Sequence, residues 1–135
     1  MIQRIQTIWL LLAAVLGFTS LKTAFFIGSI ANEPATELSG MSSVSLMIAT
    51  IVTATIATVS IFIYKNRATQ LKMVLAAITL SIMTIVLYYM AVSKYRVGGL
   101  ALWSLVPIVV PVFLILAAIG IYKDDKLVKS TDRLR

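Results

Sequence analysis

The chain has 135 residues, of which 60% are hydrophobic and 13% charged, and its formal net charge is +7. A soluble domain carries about 25% charged residues, so this composition indicates a small integral membrane protein. The absence of cysteine and histidine excludes disulfides and thiol nucleophiles and removes the commonest general base and metal ligand, so no cofactor or metal site is expected.

Four long runs of the chain carry no charged side chain, at residues 5–21, 38–64, 73–93 and 97–122. Each is close to or above the roughly 18 residues that mark a membrane-spanning helix. The runs are apolar on every face and lack the alternation of barrel strands, so helices are predicted. The expected fold is all-α, an integral membrane four-helix bundle built from antiparallel up-down hairpins. It forms one transmembrane domain over residues 1–135, with spans at about 5–27, 44–64, 73–92 and 100–122 and a cytoplasmic tail at 123–135.

The first predicted span contains one charged residue, Lys22. It stands near the far end of the span, where its ammonium group can reach the headgroups, and the helix is expected to continue past it to Ile30 as an interfacial turn. Residues 31–43 read as a loop because Pro34 and Gly40 are turn formers, and Ser42 or Ser43 is the expected cap of the second span.

The second predicted span carries small residues at every third or fourth position. They form the predicted helix-packing face: Ala49, Thr53, Ala57 and Ser60. Small side chains allow helix backbones to approach closely in a membrane. The favoured interpretation is packing, with each hydroxyl bonded to a carbonyl one turn back. A hydroxyl-lined path for a polar solute is the other interpretation.

Residues 65–72 read as a tight basic connection, and residues 93–99 read as a turn that contains two glycines. In the fourth span, Pro107 and Pro111 predict a kink, because each proline removes a backbone hydrogen bond. The sequence leaves open whether this kink also moves as a hinge.

The polar tail is patterned as a short helix in which Asp125 and Lys129 are spaced for an ion pair.

None of the predicted spans carries an ionisable residue at mid-depth, which ion-coupled transporters and intramembrane enzymes usually need. Glu33 and Glu37 could bind a cation, but they lie in a flexible loop with no third ligand, and a solvated loop is the better explanation. The sequence therefore predicts no catalytic residue.

The basic residues predict the orientation, because cytoplasmic loops of membrane proteins are enriched in lysine and arginine. Three of the twelve fall on one side of the predicted spans: Lys22, Lys94 and Arg96. The other nine share the side of the two chain ends: Arg4, Lys65, Arg67, Lys72, Lys123, Lys126, Lys129, Arg133 and Arg135. Both termini are therefore predicted to be cytoplasmic.

The two ends of the chain, MIQRIQTIWLLLAA and KDDKLVKSTDRLR, resemble a family of small four-helix inner-membrane proteins from Bacteroidota, domain of unknown function 4293. The resemblance covers the full length and implies a Gram-negative inner membrane, but it implies no activity. It also draws attention to six terminal residues that could meet each other or a common cytoplasmic partner: Arg4, Gln6, Lys126, Asp132, Arg133 and Arg135.

The expected function is that of a non-enzymatic accessory or scaffold subunit in a larger inner-membrane complex. The expected partners are membrane lipids and a membrane protein or further copies of the chain, and nucleic acid is not among them, because the positive charge lies at the ends of apolar runs. The alternative is an oligomeric transporter or channel for small solutes.

Overall fold

The structure is a computed structural model that describes residues 5–30 and 34–132. Four α-helices dominate it: α1 (Ile5–Thr19), α2 (Val44–Phe62), α3 (Arg67–Val92) and α4 (Leu105–Asp132), the last preceded by a 3₁₀ turn at Leu102–Ser104. Three short strands lie between the helices: β1 (Phe26–Ser29), β2 (Thr36–Leu38) and β3 (Val97–Leu100).

The four helices pack into a closed bundle, in which each helix contacts the next and α4 returns to α1. Leu10, Val74 and Leu114 are fully buried in its core among several alanines. Small side chains bring the backbones close, since a Cβ atom at Gly17 would lie only 3.0 Å from the Cβ of Ala54. The predicted bundle of four packed helices is confirmed.

Three of the helical segments in the described part of the chain are long and apolar enough to cross a membrane: Val44–Phe62, Arg67–Val92 and Leu102–Thr131. The first helix is apolar but has only 15 residues, about 22 Å at 1.5 Å per residue. It ends at Thr19, where the predicted span continued to residue 27. The carbonyl of Ser20, just beyond it, accepts a bond from the Tyr88 hydroxyl at 3.3 Å, and strand β1 begins at Phe26.

The all-α prediction is incomplete, because the described residues also form a three-stranded antiparallel sheet in the order β2-β1-β3. Phe26 pairs with Leu38 on one side and with Leu100 on the other. The predicted interfacial turn, the loop at 31–43 and the turn at 93–99 each contain one strand. These connections meet at one end of the bundle, where the strands satisfy one another's backbone groups.

Two glycines allow β1 and β3 to approach each other. Gly28 and Gly98 are register partners. A Cβ atom at Gly28 would lie 2.5 Å from the Val97 carbonyl oxygen, and one at Gly98 would lie 2.4 Å from the Ile27 carbonyl oxygen. The ring of Phe26 covers both positions at 2.7 Å. Gly98 therefore serves strand contact, not the turn predicted for it.

The ends of the later helices also differ from the prediction. The side chain of Asn66 caps α3 by accepting a bond from the Thr69 amide at 3.2 Å, so most of the predicted basic connection is helical. The fourth helix begins five residues later than expected, because β3 and the 3₁₀ turn precede it, and it continues to Asp132 through the predicted tail. Ser43, one of the two residues predicted as the cap, caps α2.

Substitution of Gly28 by alanine is expected to destabilise the protein by about 1–3 kcal/mol, the usual cost of forcing extra atoms into a packed site, because the new methyl group would overlap the Val97 carbonyl oxygen. The measurement is thermal or denaturant unfolding in detergent. Gly99→Ala is the matched control, since nothing lies within 4 Å of its Cβ position. Equal stability of the two variants would contradict the strand contact.

Candidate functional site

A recess opens at the end of the bundle where α1 and α3 begin. It has a volume of about 450 Å³. Its lining combines charged, polar and apolar side chains from α1, α3 and α4: Ile5, Gln6, Arg67, Gly120, Lys123, Asp124, Leu127 and Val128. We call it the basic recess, because it carries two cationic groups and one carboxylate.

Arg67 joins the α2–α3 hairpin to the fourth helix. It is the first residue of α3, and its Nη1 atom donates a hydrogen bond of 2.5 Å to the backbone carbonyl of Asp124. The Asn66 cap sets where α3 starts and so places the guanidinium group beside α4. Hydrogen bonds from charged donors contribute about 1.5–3 kcal/mol, so this contact fixes one wall of the recess.

Two glutamines are buried near this end of the bundle. Gln6 is 3% exposed, and a Cβ atom at Gly120 would lie 3.2 Å from its Cβ atom. Gln70, one turn after Arg67, donates from Nε2 to the Ser60 carbonyl at 2.8 Å. The Oε1 atoms of both glutamines are buried and have no partner among the described residues. A buried acceptor without a partner lowers the free energy of unfolding by about 1–3 kcal/mol.

The fourth helix continues past Asp124 as a segment of eight residues, 125–132, which we call the α4 extension and which includes two residues of the recess wall, Leu127 and Val128. It spans about 12 Å at 1.5 Å per residue. The predicted ion pair is present, since Lys129 Nζ lies 2.5 Å from Asp125 Oδ2. The apolar run of α4 ends before Lys123 and Asp124. Two apolar residues nevertheless follow in the α4 extension, and both are exposed: Leu127 at 65% and Val128 at 45%.

Of the six terminal residues that could meet each other or a common partner, the structure describes the side chains of two, Gln6 and Lys126, and they line different grooves. Gln6 lines the basic recess. Lys126 lines a second groove, on another side of α4, with Tyr122, Asp125, Lys129 and Ser130. Asp132 ends α4, but its side chain is not among the described ones, and Arg4, Arg133 and Arg135 lie outside the described residues. A shared docking point for all six residues stays a prediction.

The small residues of α2 face the interior of the bundle. Thr53, Ala57 and Ser60 are buried and Ala49 is half-buried. Thr53 Oγ1 donates to the Ala49 carbonyl at 2.8 Å, and Ser60 Oγ donates to the Ile56 carbonyl at 2.7 Å. The hydroxyls thus bond within their own helix, in the pattern that the packing interpretation expects.

A small cavity of about 20 Å³ lies among these hydroxyls, with room for roughly one water molecule. Its lining comes from all four helices and from Ser20, the residue after α1: Gly17, Ser20, Thr50, Thr53, Ser81, Thr84, Pro107 and Val110.

The two prolines of α4 differ in their positions. Pro107 belongs to the first turn of α4, where its missing N–H is not needed. Only Pro111 lies inside the helix, so the expected loss of a helical hydrogen bond applies to Pro111 alone.

Sequence reasoning missed Arg67, Gln70 and Gly120 as members of this end of the bundle. Arg67 and Gln70 were read as parts of a connection. The signal that could have found them is Asn66, an N-cap residue type, followed by positions three apart that share a helix face. Gly120 gave no signal, because its contact with Gln6 joins the two ends of the chain.

The chain belongs to the family described as Domain of unknown function (DUF4293), whose model matches residues 2–134. The predicted resemblance to this domain of unknown function is therefore confirmed. No curated protein matches the chain, and no solved structure matches it.

Replacement of Arg67 by methionine is expected to lower the free energy of unfolding by about 1.5–3 kcal/mol, because the charged donor to the Asp124 carbonyl is lost while the apolar stem is kept. Unfolding in detergent measures the effect. Arg96→Met, at the opposite end of the bundle and on an exposed residue, is the control and should leave stability within about 0.5 kcal/mol. An Arg67 variant as stable as the control would contradict the bridging role.

Proposed function

We propose that this protein is a non-enzymatic accessory or scaffold subunit of a larger complex in a bacterial inner membrane. In this proposal the chain crosses the membrane with both termini in the cytoplasm. The α4 extension is the element that docks a partner protein.

The exposed apolar residues of the α4 extension carry this proposal. Exposed side chains along the bundle, such as Ile82 and Leu116, are apolar as lipid contact requires. Leu127 and Val128 are different, because they follow the charged residues Lys123 and Asp124 in the chain. An exposed apolar patch rimmed by polar residues marks a surface for another protein, and in this proposal Leu127 and Val128 form such a patch.

The distribution of charge supports the proposed orientation. Arg67, Lys72 and Lys123 belong to the end of the bundle that carries the α4 extension, and Lys94 and Arg96 belong to the end with the sheet. Nine of the twelve basic residues in the sequence fall on the side of the chain ends, which favours the cytoplasm for that side.

An oligomeric small-solute channel is the alternative, and the described interior gives it little support. The cavity among the hydroxyls has room for about one water molecule, and Thr50 and Thr84 donate to carbonyls of their own helices at 2.7 and 2.9 Å. A pore would have to lie between copies of the chain.

Cysteine labelling tests the orientation, because the chain has no cysteine of its own. Ser93→Cys and Ser130→Cys place one thiol on each end of the bundle, and both serines are exposed. A membrane-impermeant maleimide is expected to label the Ser93 variant in cells whose inner membrane is intact, and the Ser130 variant only after that membrane is opened. The reverse pattern would contradict the proposed orientation.

Photo-crosslinking in cells tests the docking role. A photoreactive amino acid at Leu127 is expected to capture one defined membrane or cytoplasmic protein, identified by mass spectrometry. Ile82, which is 51% exposed against 65% for Leu127, is the control within the bundle and should not capture that protein.

Two results would contradict the accessory role. One is a crosslink from Leu127 only to a second copy of this chain, which would place the α4 extension between copies. The other is the same set of products from Leu127 and Ile82, which would make the crosslinks nonspecific.

A further inference from the structure

We propose that the basic recess is a binding site for the headgroup of an anionic phospholipid, with Arg67 and Lys123 on the phosphate. The inference requires only that the bundle lies in a membrane. It depends neither on the proposed orientation nor on a protein partner.

The position of the recess suits an amphipathic ligand. Lys123 is the first charged residue of α4, and Arg67 is the first residue of α3. Both cationic groups therefore fall where an apolar segment meets the polar headgroup layer. The same recess has an apolar wall, formed by Ile5, Leu127 and Val128. This wall suits the glycerol and first acyl carbons of a lipid, whereas a free phosphate ion has no apolar part that could contact it.

The charge of the recess suits an anion. Arg67 and Lys123 provide two positive charges, and Asp124 provides one negative charge. The carbonyl of Asp124 already accepts from Arg67, and Asp124 makes a further interaction of its own. Arg67 carries five N–H donors, and a guanidinium group binds phosphate through such donors.

The size of the recess also fits. Its volume of about 450 Å³ lies in the range of small-molecule sites, roughly 300–1,000 Å³. Basic pockets between membrane helices are a recurring place for acidic lipid headgroups. The second groove on α4, with Lys126 and Lys129, is smaller at about 320 Å³, and Lys129 is already paired with Asp125, so the basic recess is the better site.

Native mass spectrometry of the full chain in detergent tests the proposal. Phosphatidylglycerol and phosphatidylcholine with the same acyl chains are titrated separately, and the chain is expected to retain phosphatidylglycerol at least tenfold more tightly. At about 1 kcal/mol per basic residue near a lipid surface, Lys123→Gln should weaken phosphatidylglycerol binding about fivefold, and the double variant Arg67→Gln/Lys123→Gln about 30-fold.

The matched control removes two positive charges at the same end of the bundle but outside the recess. Lys65→Gln/Lys72→Gln changes exposed residues and should alter binding less than twofold. Circular dichroism checks that each variant is folded. If the double variant does not fold, the single variant Lys123→Gln tests the proposal by itself. Lys123 is exposed, and its replacement leaves the bond between Arg67 and Asp124 in place.

Three results would overturn the proposal. One is equal affinity for the two lipids. Another is an equal loss in the control double variant, which would show attraction to the whole basic end and not to the recess. The third is displacement of the lipid by millimolar glycerol 3-phosphate, which would make the recess a site for a soluble phosphate compound. The purified chain is tested without a partner protein. Loss of the lipid proposal would therefore leave the docking role, which the crosslinking of the Leu127 variant tests, unaffected.

Discussion

The structure depends on one constraint: lipid offers no hydrogen-bond partner, so the hydroxyl groups along the bundle bond within it, whereas the Oε1 atoms of Gln6 and Gln70, which have no partner among the described residues, lie near its end. Thr50, Thr53 and Ser60 meet it by donating to carbonyls of their own helix. Hydroxyls of α2 and α3 can therefore line the same small cavity without forming an open path. Tyr88 meets the constraint differently, because its hydroxyl reaches the Ser20 carbonyl and so ties α3 to the point where α1 has ended.

The two ends of the bundle satisfy their backbone groups in different ways. At one end the three connections form a sheet, whose strands exchange bonds with one another and need Gly28 and Gly98 for their close approach. At the other end side chains reach across helices, Arg67 to the carbonyl of Asp124 and Gln70 to that of Ser60. Charged and amide side chains therefore collect at the second end, and the basic recess is made from them.

The sequence predicted features that depend on neighbouring residues. The long uncharged runs that predict helices, the cap at Ser42 or Ser43 and the pair of Asp125 with Lys129 all depend on nearby residues. The helices, a cap at Ser43 and the ion pair are present. The sheet was not predictable in this way, because β1 pairs with β3 across about 70 residues of chain, and a four-residue apolar segment beside a membrane reads as a helix end. The basic recess was missed for the same reason, since Gln6 and Gly120 come from opposite ends of the sequence.

The continuity of α4 links the two proposed roles. Lys123 and Leu127 are one helical turn apart and so share a face, and Leu127 and Val128 both line the basic recess and stand exposed on the α4 extension. A partner protein that covers these two side chains would also cover the mouth of the recess. A lipid headgroup held by Arg67 and Lys123 would then lie within the protein–protein contact, where its charge would contribute to the choice of partner.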